Sequence, residues 1–595
     1  MKTGRQRVRL LQFHRGWKEP FLSLTHFLFN AASILAAIIL ILDYGFVFSP
    51  SVEAWFGWVE IELAGLFILL TLFEMGCTRP LSSGVRSHWI ELVFYGTLVG
   101  CWVLCWPQGA GWEWQTLLQM AVQPSIRYPI EVYLCYTILA RFLQAARHLF
   151  VVSLSPAATV LLSFMFLIFT GSVALSLPTA THGTTEPQIS FLDALFTSTS
   201  AVCVTGLIVV DTSTAFSRFG QTIIMMLIQF GALGIMTYVG IFSFMLGKDY
   251  SLRGRSVLHD MINTAEVHRV AYLMKIILLT MFGSELIGTF FLYFELYDPT
   301  FTELENWFIA MFHSISAFGN AGFSTYGNSM ESFVNSPIII LTISGLVILG
   351  GIGFAVIYDM CLWFWSRIRL VKRPYRLSIH SRLVLWMTGF FILIGMLMIC
   401  LAVDHDGVGW RQWALTGLFQ SVVSRTAGFN SIPLAAIAPW GLLVMMVLMF
   451  IGAAPGGTGG GIKVSTVGLL VYSCRSLMKG RNQVEIMRRT IPEQCVLTAF
   501  VLCGLALAYL ALAIIVMVWV EPDLPFLELV FEVVSAFGTV GLSMGITPEL
   551  SPMGKIVIII SMYLGRVGPL TVFLAMARQR DDALYRYPSG SIAVG

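Results

Sequence analysis

Glycine recurs in this chain at four corresponding places, Gly206, Gly322, Gly428 and Gly541, spaced 116, 106 and 113 residues apart. Each closes a segment of the same make. FLDALFTSTSAVCVTGL (191–207), WFIAMFHSISAFGNAGF (307–323), WALTGLFQSVVSRTAGF (413–429) and FLELVFEVVSAFGTVGL (526–542) superpose without gaps. In every copy an apolar or aromatic start leads into about three helical turns, a short turn, and glycine followed by Leu or Phe. The chemistry that asks for glycine there is coordination of a cation by main-chain carbonyls, because turning successive carbonyls toward one point needs backbone angles that a side chain usually forbids. The helix before each glycine would aim the negative end of its dipole at the same point. A single glycine of this kind suits close helix packing equally well; four in register favour the shared chemistry.

The elements that would hold these segments follow from composition. Of 595 residues, 57% are hydrophobic and 12% charged, with a mean hydropathy of +0.79, too few charges to cover a soluble globule of this size. Apolar stretches of about 20 residues, enough to cross a bilayer as helix, recur from Phe21 onward. Each glycine segment is too short to cross and is flanked by two long ones. The expected fold is therefore an all-α polytopic membrane protein of four repeats, each a helix, a re-entrant pore helix with its loop, and a second helix. Irregular backbone at membrane depth is tolerated where it lines a cavity, so the four loops are expected to meet around one pore in pseudo-fourfold arrangement.

Loop charges give an orientation. Basic clusters lie at Lys248, Arg253, Arg255 and Arg269, in RIRLVKRPYR (367–376), in RSLMKGRNQVEIMRR (475–489) and at Arg578, Arg580 and Arg586; alternate loops carry Glu186, then Glu295, Asp298, Glu303 and Glu305, then Asp404 and Asp406, then Glu521 and Asp523. The basic side is expected in the cytoplasm, and the acidic side would concentrate cations. The basic start MKTGRQRVRLLQFHRGWK precedes a full apolar span without a small-residue cleavage site, which predicts a retained cytoplasmic tail. The net charge of +3 gives no sign of nucleic acid. Ten scattered cysteines offer neither a zinc spacing nor a disulfide framework. A nucleophile with its base and a phosphate-binding loop are likewise missing, so no enzyme is expected.

Residues Gly452 to Gly461 set glycines, Pro455 and Thr458 inside what should be the second spanning helix of the third repeat; such a run does not stay helical. Arg566 lies in an apolar span and needs a partner facing the cavity. Asp193, Glu285, Glu528 and Glu532 are candidate cation ligands, with satisfaction by local backbone amides favoured, and His313 reads as a packed or hydrogen-bonded side chain.

With these motifs assembled, the chain resembles the Trk/Ktr/HKT superfamily of potassium transporters, most closely the Ktr membrane subunit. DALFTSTSAVCVTGL, SAFGNAGFS, SRTAGFN and SAFGTVGLS are similar to its four filter motifs, and IQFGALGIMT, LGGIGFAVI, GAAPGGTGGGIKVST and GRVGPLT also match, over about residues 155–595. The resemblance implies a filter of backbone carbonyls from Val204, Thr205, Gly206 and Leu207; Asn320, Ala321, Gly322 and Phe323; Thr426, Ala427, Gly428 and Phe429; and Thr539, Val540, Gly541 and Leu542. It implies an intramembrane gate of Gly452, Pro455, Gly456, Gly457, Thr458, Gly459, Gly460, Gly461 and Lys463, contacted by Arg566. Glycine at all four filter positions goes with potassium, whereas serine at the first is common in sodium-carrying plant relatives. The implied function is gated uptake of K+ across the plasma (bacterial inner) membrane, with N- and C-termini cytoplasmic. A homodimer is implied, contacting through the tail RYPSGSIAVG, as is a cytosolic nucleotide-binding regulatory subunit, a KtrA/TrkA-like ring that would carry the nucleotide. Sodium-selective or sodium-coupled transport, and a non-conducting membrane sensor or scaffold, are the alternatives.

The expected organisation is an N-terminal four-helix transmembrane bundle over 1–152, repeat 1 over 153–250, repeat 2 over 251–370, repeat 3 over 371–485 with its gating loop at 452–463, and repeat 4 with the tail over 486–595. Within the bundle, spans are expected at 21–42, 58–76, 88–106 and 129–152. Glu60, Glu62, Glu74 and Glu91 facing Arg141, Gln144 and Arg147 faintly resemble a voltage sensor, although two arginines are too few for steep gating.

Overall fold

The computed structural model describes residues 25, 27–46, 48–77, 89–105, 127–138, 156–182, 189–245, 267–368, 375–403, 409–481 and 483–568. They divide into two compact units, the first holding the N-terminal helices with Leu177–Thr179, the second the remainder. The first unit has α1 (Phe27–Gly45), α2 (Pro50–Cys77), α3 (Trp89–Cys105) and α4 (residues 127–138). Its core is aromatic, with Phe29 stacked on Phe67 at 5.9 Å and Tyr133 edge-on to Tyr95 at 5.6 Å. α2 begins at Pro50, eight residues before the expected span, because proline at the first turn gives up an N–H that has no helical partner there.

In the second unit one unit of construction occurs four times. A long helix leads to a half-length helix, an irregular loop and another helix. The first copy is α5 (Pro156–Leu175), α6 (Phe191–Val202) and α7 (Arg218–Met245). The second is α8 (Val267–Glu295), α9 (Glu303–Gly319), α10 (Pro337–Ile352) and α11 (Phe354–Ile368). The third is α12 (Ile379–Ala402), α13 (Trp410–Val423), α14 (Pro439–Phe450) and α15 (Val464–Met478). A two-stranded turn, β1 (Glu485–Ile486) against β2 (Arg489–Thr490), leads to the fourth, α16 (Glu493–Val520), α17 (Phe526–Gly538) and α18 (Pro552–Val567). The half-length helices have 12, 17, 14 and 13 residues, too few at about 1.5 Å per residue to cross a hydrocarbon core of roughly 30 Å. Five described helices are long and apolar enough to cross a membrane, six if α10 and α11 make one bent span.

Local sequence starts and stops these helices. Ser190, Ser336, Ser378 and Ser551 cap α6, α10, α12 and α18, and Thr302 with Glu305 forms a reciprocal capping box at α9. Just before that box, Asp298 accepts from the N–H and hydroxyl of Thr300, which holds its carboxyl below the usual carboxylate range.

Small residues let the layers close. A Cβ at Gly171, Gly288 or Gly395 would collide with Ser198, Ser314 or Ser421 of the adjacent half-length helix. Those same hydroxyls donate back to the carbonyls of Ile168, Glu285 and Ile392 at 2.7, 2.7 and 2.8 Å. On the other side Gly231, Gly350 and Gly565 press on the carbonyls of Val202, Phe318 and Phe537. Three residues beyond each contact the helix breaks. Gly234 is non-helical (φ 60°, ψ −177°), Gly353 (φ 92°) separates α10 from α11 at a bend of 100°, and Gly568 (φ 88°) ends α18. A helix break was expected in the third copy; the first two have one as well.

Candidate functional site

The turn after each half-length helix carries the same backbone signature. Val204, Asn320, Thr426 and Thr539, each two residues before its glycine, have φ of 56°, 61°, 76° and 50°, and Gly206, Gly322, Gly428 and Gly541 have 95°, 69°, 74° and 94°. Left-handed conformation costs roughly 1–2 kcal/mol for a residue with a Cβ, most for a β-branched one such as Val204, and it survives where the surroundings over-determine it. Here they do. The four loops are buried except at the half-buried Gly322 and Gly428, and the residues after the glycines, Leu207, Phe323, Phe429 and Leu542, are core side chains.

The four glycines close a ring. A Cβ on Gly206 would strike the Ala321 carbonyl and lie 3.2 Å from Gly322 Cα; one on Gly322 would lie 2.9 Å from Gly428 Cα; one on Gly428, 3.1 Å from Gly541 Cα; one on Gly541, 3.0 Å from Gly206 Cα and against the Thr205 carbonyl. No side chain fits at these positions. The N–H groups of the loops point away from the ring, into the half-length helices: Thr205 to Ser200 O (2.8 Å), Ala321 to Ser316 O (2.7 Å), Ala427 to Val423 O (2.9 Å) and Val540 to Ser535 O (2.9 Å). The Gly206 and Gly541 N–H groups donate to the Ser200 and Ser535 hydroxyls at 3.0 and 3.1 Å. With the donors engaged behind, the ring presents acceptors, and four helix C-termini add negative potential.

Against one end of this ring lies the glycine-rich segment between α14 and α15. Its ends pair through Gly452 N–H to Ile462 O at 2.9 Å. Its middle is held by α10 and α11, with Ala454 N–H to Gly351 O (2.9 Å), Thr458 N–H to Gly350 O (3.0 Å) and Phe354 N–H to Gly456 O (3.1 Å). The tip touches the ring loops themselves: the Gly460 N–H donates to Thr539 Oγ1 at 2.9 Å, and a Cβ at Gly459 would overlap Thr426 Oγ1. Pro455, Gly456, Gly457 and Gly461 are half-buried, while Gly452, Thr458, Gly459 and Gly460 are buried.

Two cations fasten this segment. Lys463 Nζ donates to Gly459 O at 2.7 Å, tying the segment to its own stem. The Arg566 guanidinium donates to the carbonyl of Thr458 and, at 2.5 Å, to that of Gly231 on α7. The partner expected for Arg566 is thus a pair of main-chain carbonyls from two different copies.

Three of the candidate acids bond to side chains rather than to the favoured backbone amides. Asp193 pairs with Lys555 of α18 at 2.7 Å and accepts from the Ser190 hydroxyl. Glu532 accepts from Thr547 Oγ1 at 2.5 Å, and Glu285 from Gln229 Nε2 at 2.8 Å. Glu528 stands in the first turn of α17. His313 donates from Nδ1 to Ile309 O at 2.8 Å, accepts at Nε2 from Ser324 and stacks on Tyr326.

In the first unit one of the acids singled out from the sequence has a described partner. Glu60 faces Arg127, Nε to Oε2 at 3.5 Å, and the same guanidinium bonds Asp43 and lies 2.8 Å from Glu131, to which Tyr44 donates. Arg141, Gln144 and Arg147 lie outside the described residues, as do Glu186, Asp404 and Asp406, the basic residues Lys248, Arg253, Arg255, Arg578, Arg580 and Arg586, and the tail RYPSGSIAVG. Asp43 was invisible as a partner of the neighbouring Arg127 and Glu131, since it lies on a different helix far away in sequence. The roles of Ser200 and Ser535 carried a signal, an aligned serine six residues before the glycine.

Fold and site together define a mostly helical, multi-span membrane protein with a ring of main-chain acceptors between its repeats. The TrkH family model, described as a cation transport protein, matches residues 159–587, and the chain belongs to that family. It is 37% identical over 452 residues to the Ktr system potassium uptake protein B of Bacillus subtilis, covering 75% of this chain and 98% of the relative. It is 36% identical to the potassium/sodium uptake protein NtpJ of Enterococcus hirae, covering 74% and 98%. The crystal structure of the potassium transporter TrkH from Vibrio parahaemolyticus has the same fold, with a TM-score of 0.59 at 18% identity, over 82% of this chain and 97% of that one.

Proposed function

We propose that this chain is the translocating membrane subunit of a Ktr-type potassium uptake system, passing dehydrated K+ down its electrochemical gradient through a gated pore. The observation that carries the reading is the ring: left-handed backbone at the glycine and two residues before it, in all four copies, with the N–H groups bonded away from it. In this reading the four copies are M1-P-M2 repeats in pseudo-fourfold arrangement around one pore, preceded by about four extra transmembrane helices. The domain limits are those drawn from the sequence, 1–152, 153–250, 251–370, 371–485 and 486–595.

Carbonyls of residues 204–207, 320–323, 426–429 and 539–542 replace the water shell of the ion. The segment 452–463 blocks the path below them, and Arg566 and Lys463 add positive charge there. The acidic loops face outward and the basic loops the cytoplasm of a bacterial cell, with both termini inside. A Ktr relative is described as part of a system, which supports a partner for this chain; in this reading the chain works as a homodimer with a cytosolic regulatory ring that binds the nucleotide.

The test is growth and Rb+ uptake in a strain lacking its own potassium uptake systems, with and without a co-expressed cytosolic regulatory subunit. Restored uptake resistant to excess Na+ is the expected result. Equal competition by Na+ would favour the second reading, a carrier of both ions, which the description of the Enterococcus relative supports. No uptake from properly inserted protein under either condition would leave the scaffold reading.

A further inference from the structure

Among α7, α8 and α9 lies a cavity of about 610 Å³, with Met225, Gln229, Phe282, Glu285, Trp307 and Met311 in its walls. Its size is inside the range of roughly 300–1,000 Å³ typical of small-molecule pockets. Leu286 and Leu304, also lining it, are exposed as lipid-facing side chains are, so the mouth opens toward the bilayer. Two polar side chains interrupt the apolar wall. Glu285 is 5% exposed and takes one hydrogen bond, from Gln229 Nε2 to its Oε2. Its Oε1 and the Oε1 of Gln229 are buried with no partner among the described residues.

Buried acceptors left unpaired are costly, and both orphans here are acceptors. An occupant that repairs them must bring donors. We propose that this cavity binds a membrane-dissolved primary amine, its ammonium seated between Glu285 and Gln229 and its alkyl chain against Met225, Phe282 and Trp307. A primary ammonium carries three N–H donors, enough for both orphan oxygens, whereas a hydroxyl has one. Wherever the proton starts, on the carboxyl or on the amine, the result is the same ammonium–carboxylate pair. Gln229 stands two residues before Gly231, whose carbonyl holds Arg566, so an occupant bears on the helix that anchors the glycine-rich segment.

Binding is read without any flux measurement, which separates this proposal from the transport reading. Full-chain protein in phosphatidylcholine nanodiscs is titrated with dodecylamine bearing a terminal bromine. Quenching of Trp307 fluorescence is taken as the difference from a Trp307→Phe variant. Saturable quenching is expected, weakened about tenfold or more by Glu285→Gln, which removes the charge and replaces one acceptor oxygen with a donor, and by Gln229→Met, which removes the amide acceptor. The matching bromododecanol should change by less than about twofold. Using two variants keeps the test decisive if one fails to fold. Quenching that never saturates, that is equal in wild type and variants, or that is absent because a second copy covers Trp307 overturns the proposal.

Discussion

At Ser200 a hydroxyl does what no composition statistic suggests: it takes the N–H of Gly206 and so turns that peptide's carbonyl toward the ring. Ser200→Ala leaves this donor buried and unpaired at a cost of about 1–3 kcal/mol. Potassium over sodium discrimination should fall, read as Na+ competition against Rb+ uptake. Retained discrimination would mean the peptide is held by its neighbours alone. Gly206→Ser puts a Cβ on the Ala321 carbonyl at a φ of 95°. The potassium-to-sodium permeability ratio should drop about tenfold or more, ~1.4 kcal/mol, and an unchanged ratio would count against residues 204–207 as a filter.

At the scale of elements, the joints between copies carry the predictions. Arg566 ties the glycine-rich segment to α7 through two carbonyls. Arg566→Ala removes two charge-assisted bonds, each roughly 1.5–3 kcal/mol, so cation flux should rise about tenfold or more if even one of them holds the closed state. Shortening Gly456 to Gly461 should act in the same direction. A lower or equal flux in properly inserted protein would remove the barrier role. The ion pair of Asp193 on α6 with Lys555 on α18 joins the first copy to the fourth, with side chains 16% and 14% exposed. Lys555→Met should lower thermal stability by about 1–3 kcal/mol. The exchange Asp193→Lys with Lys555→Asp should recover part of it, and a double variant no better than the single would show that the pair is not what is lost.

For the whole molecule, the first unit is stabilised around one guanidinium that serves three carboxyls, those of Asp43, Glu60 and Glu131. Removing it leaves buried like charges, so Arg127→Gln should destabilise that unit by about 3–5 kcal/mol. Thermal unfolding followed by circular dichroism measures this, and an unchanged melting curve would mean the carboxyls are neutral without it. Held by three acids, Arg127 itself is not free to cross the membrane field, which supplies only about 2.3 kcal/mol per charge per 100 mV.

The sequence alone determined the helical class, the four copies and the glycine that closes each, because hydrophobic length and a repeated small residue are local signals. It also marked 452–461 as non-helical and Arg566 as needing a partner. It did not reveal which partner. The carbonyls of Thr458 and Gly231, the breaks at Gly234 and Gly353, the Asp193–Lys555 pair and the Arg127 cluster were decided by tertiary structure. These contacts join residues tens to hundreds of positions apart, and a buried polar group takes whichever partner the packed neighbour brings within reach. That choice is made by the approach of helices whose small residues let them come close, and the chain order does not record it.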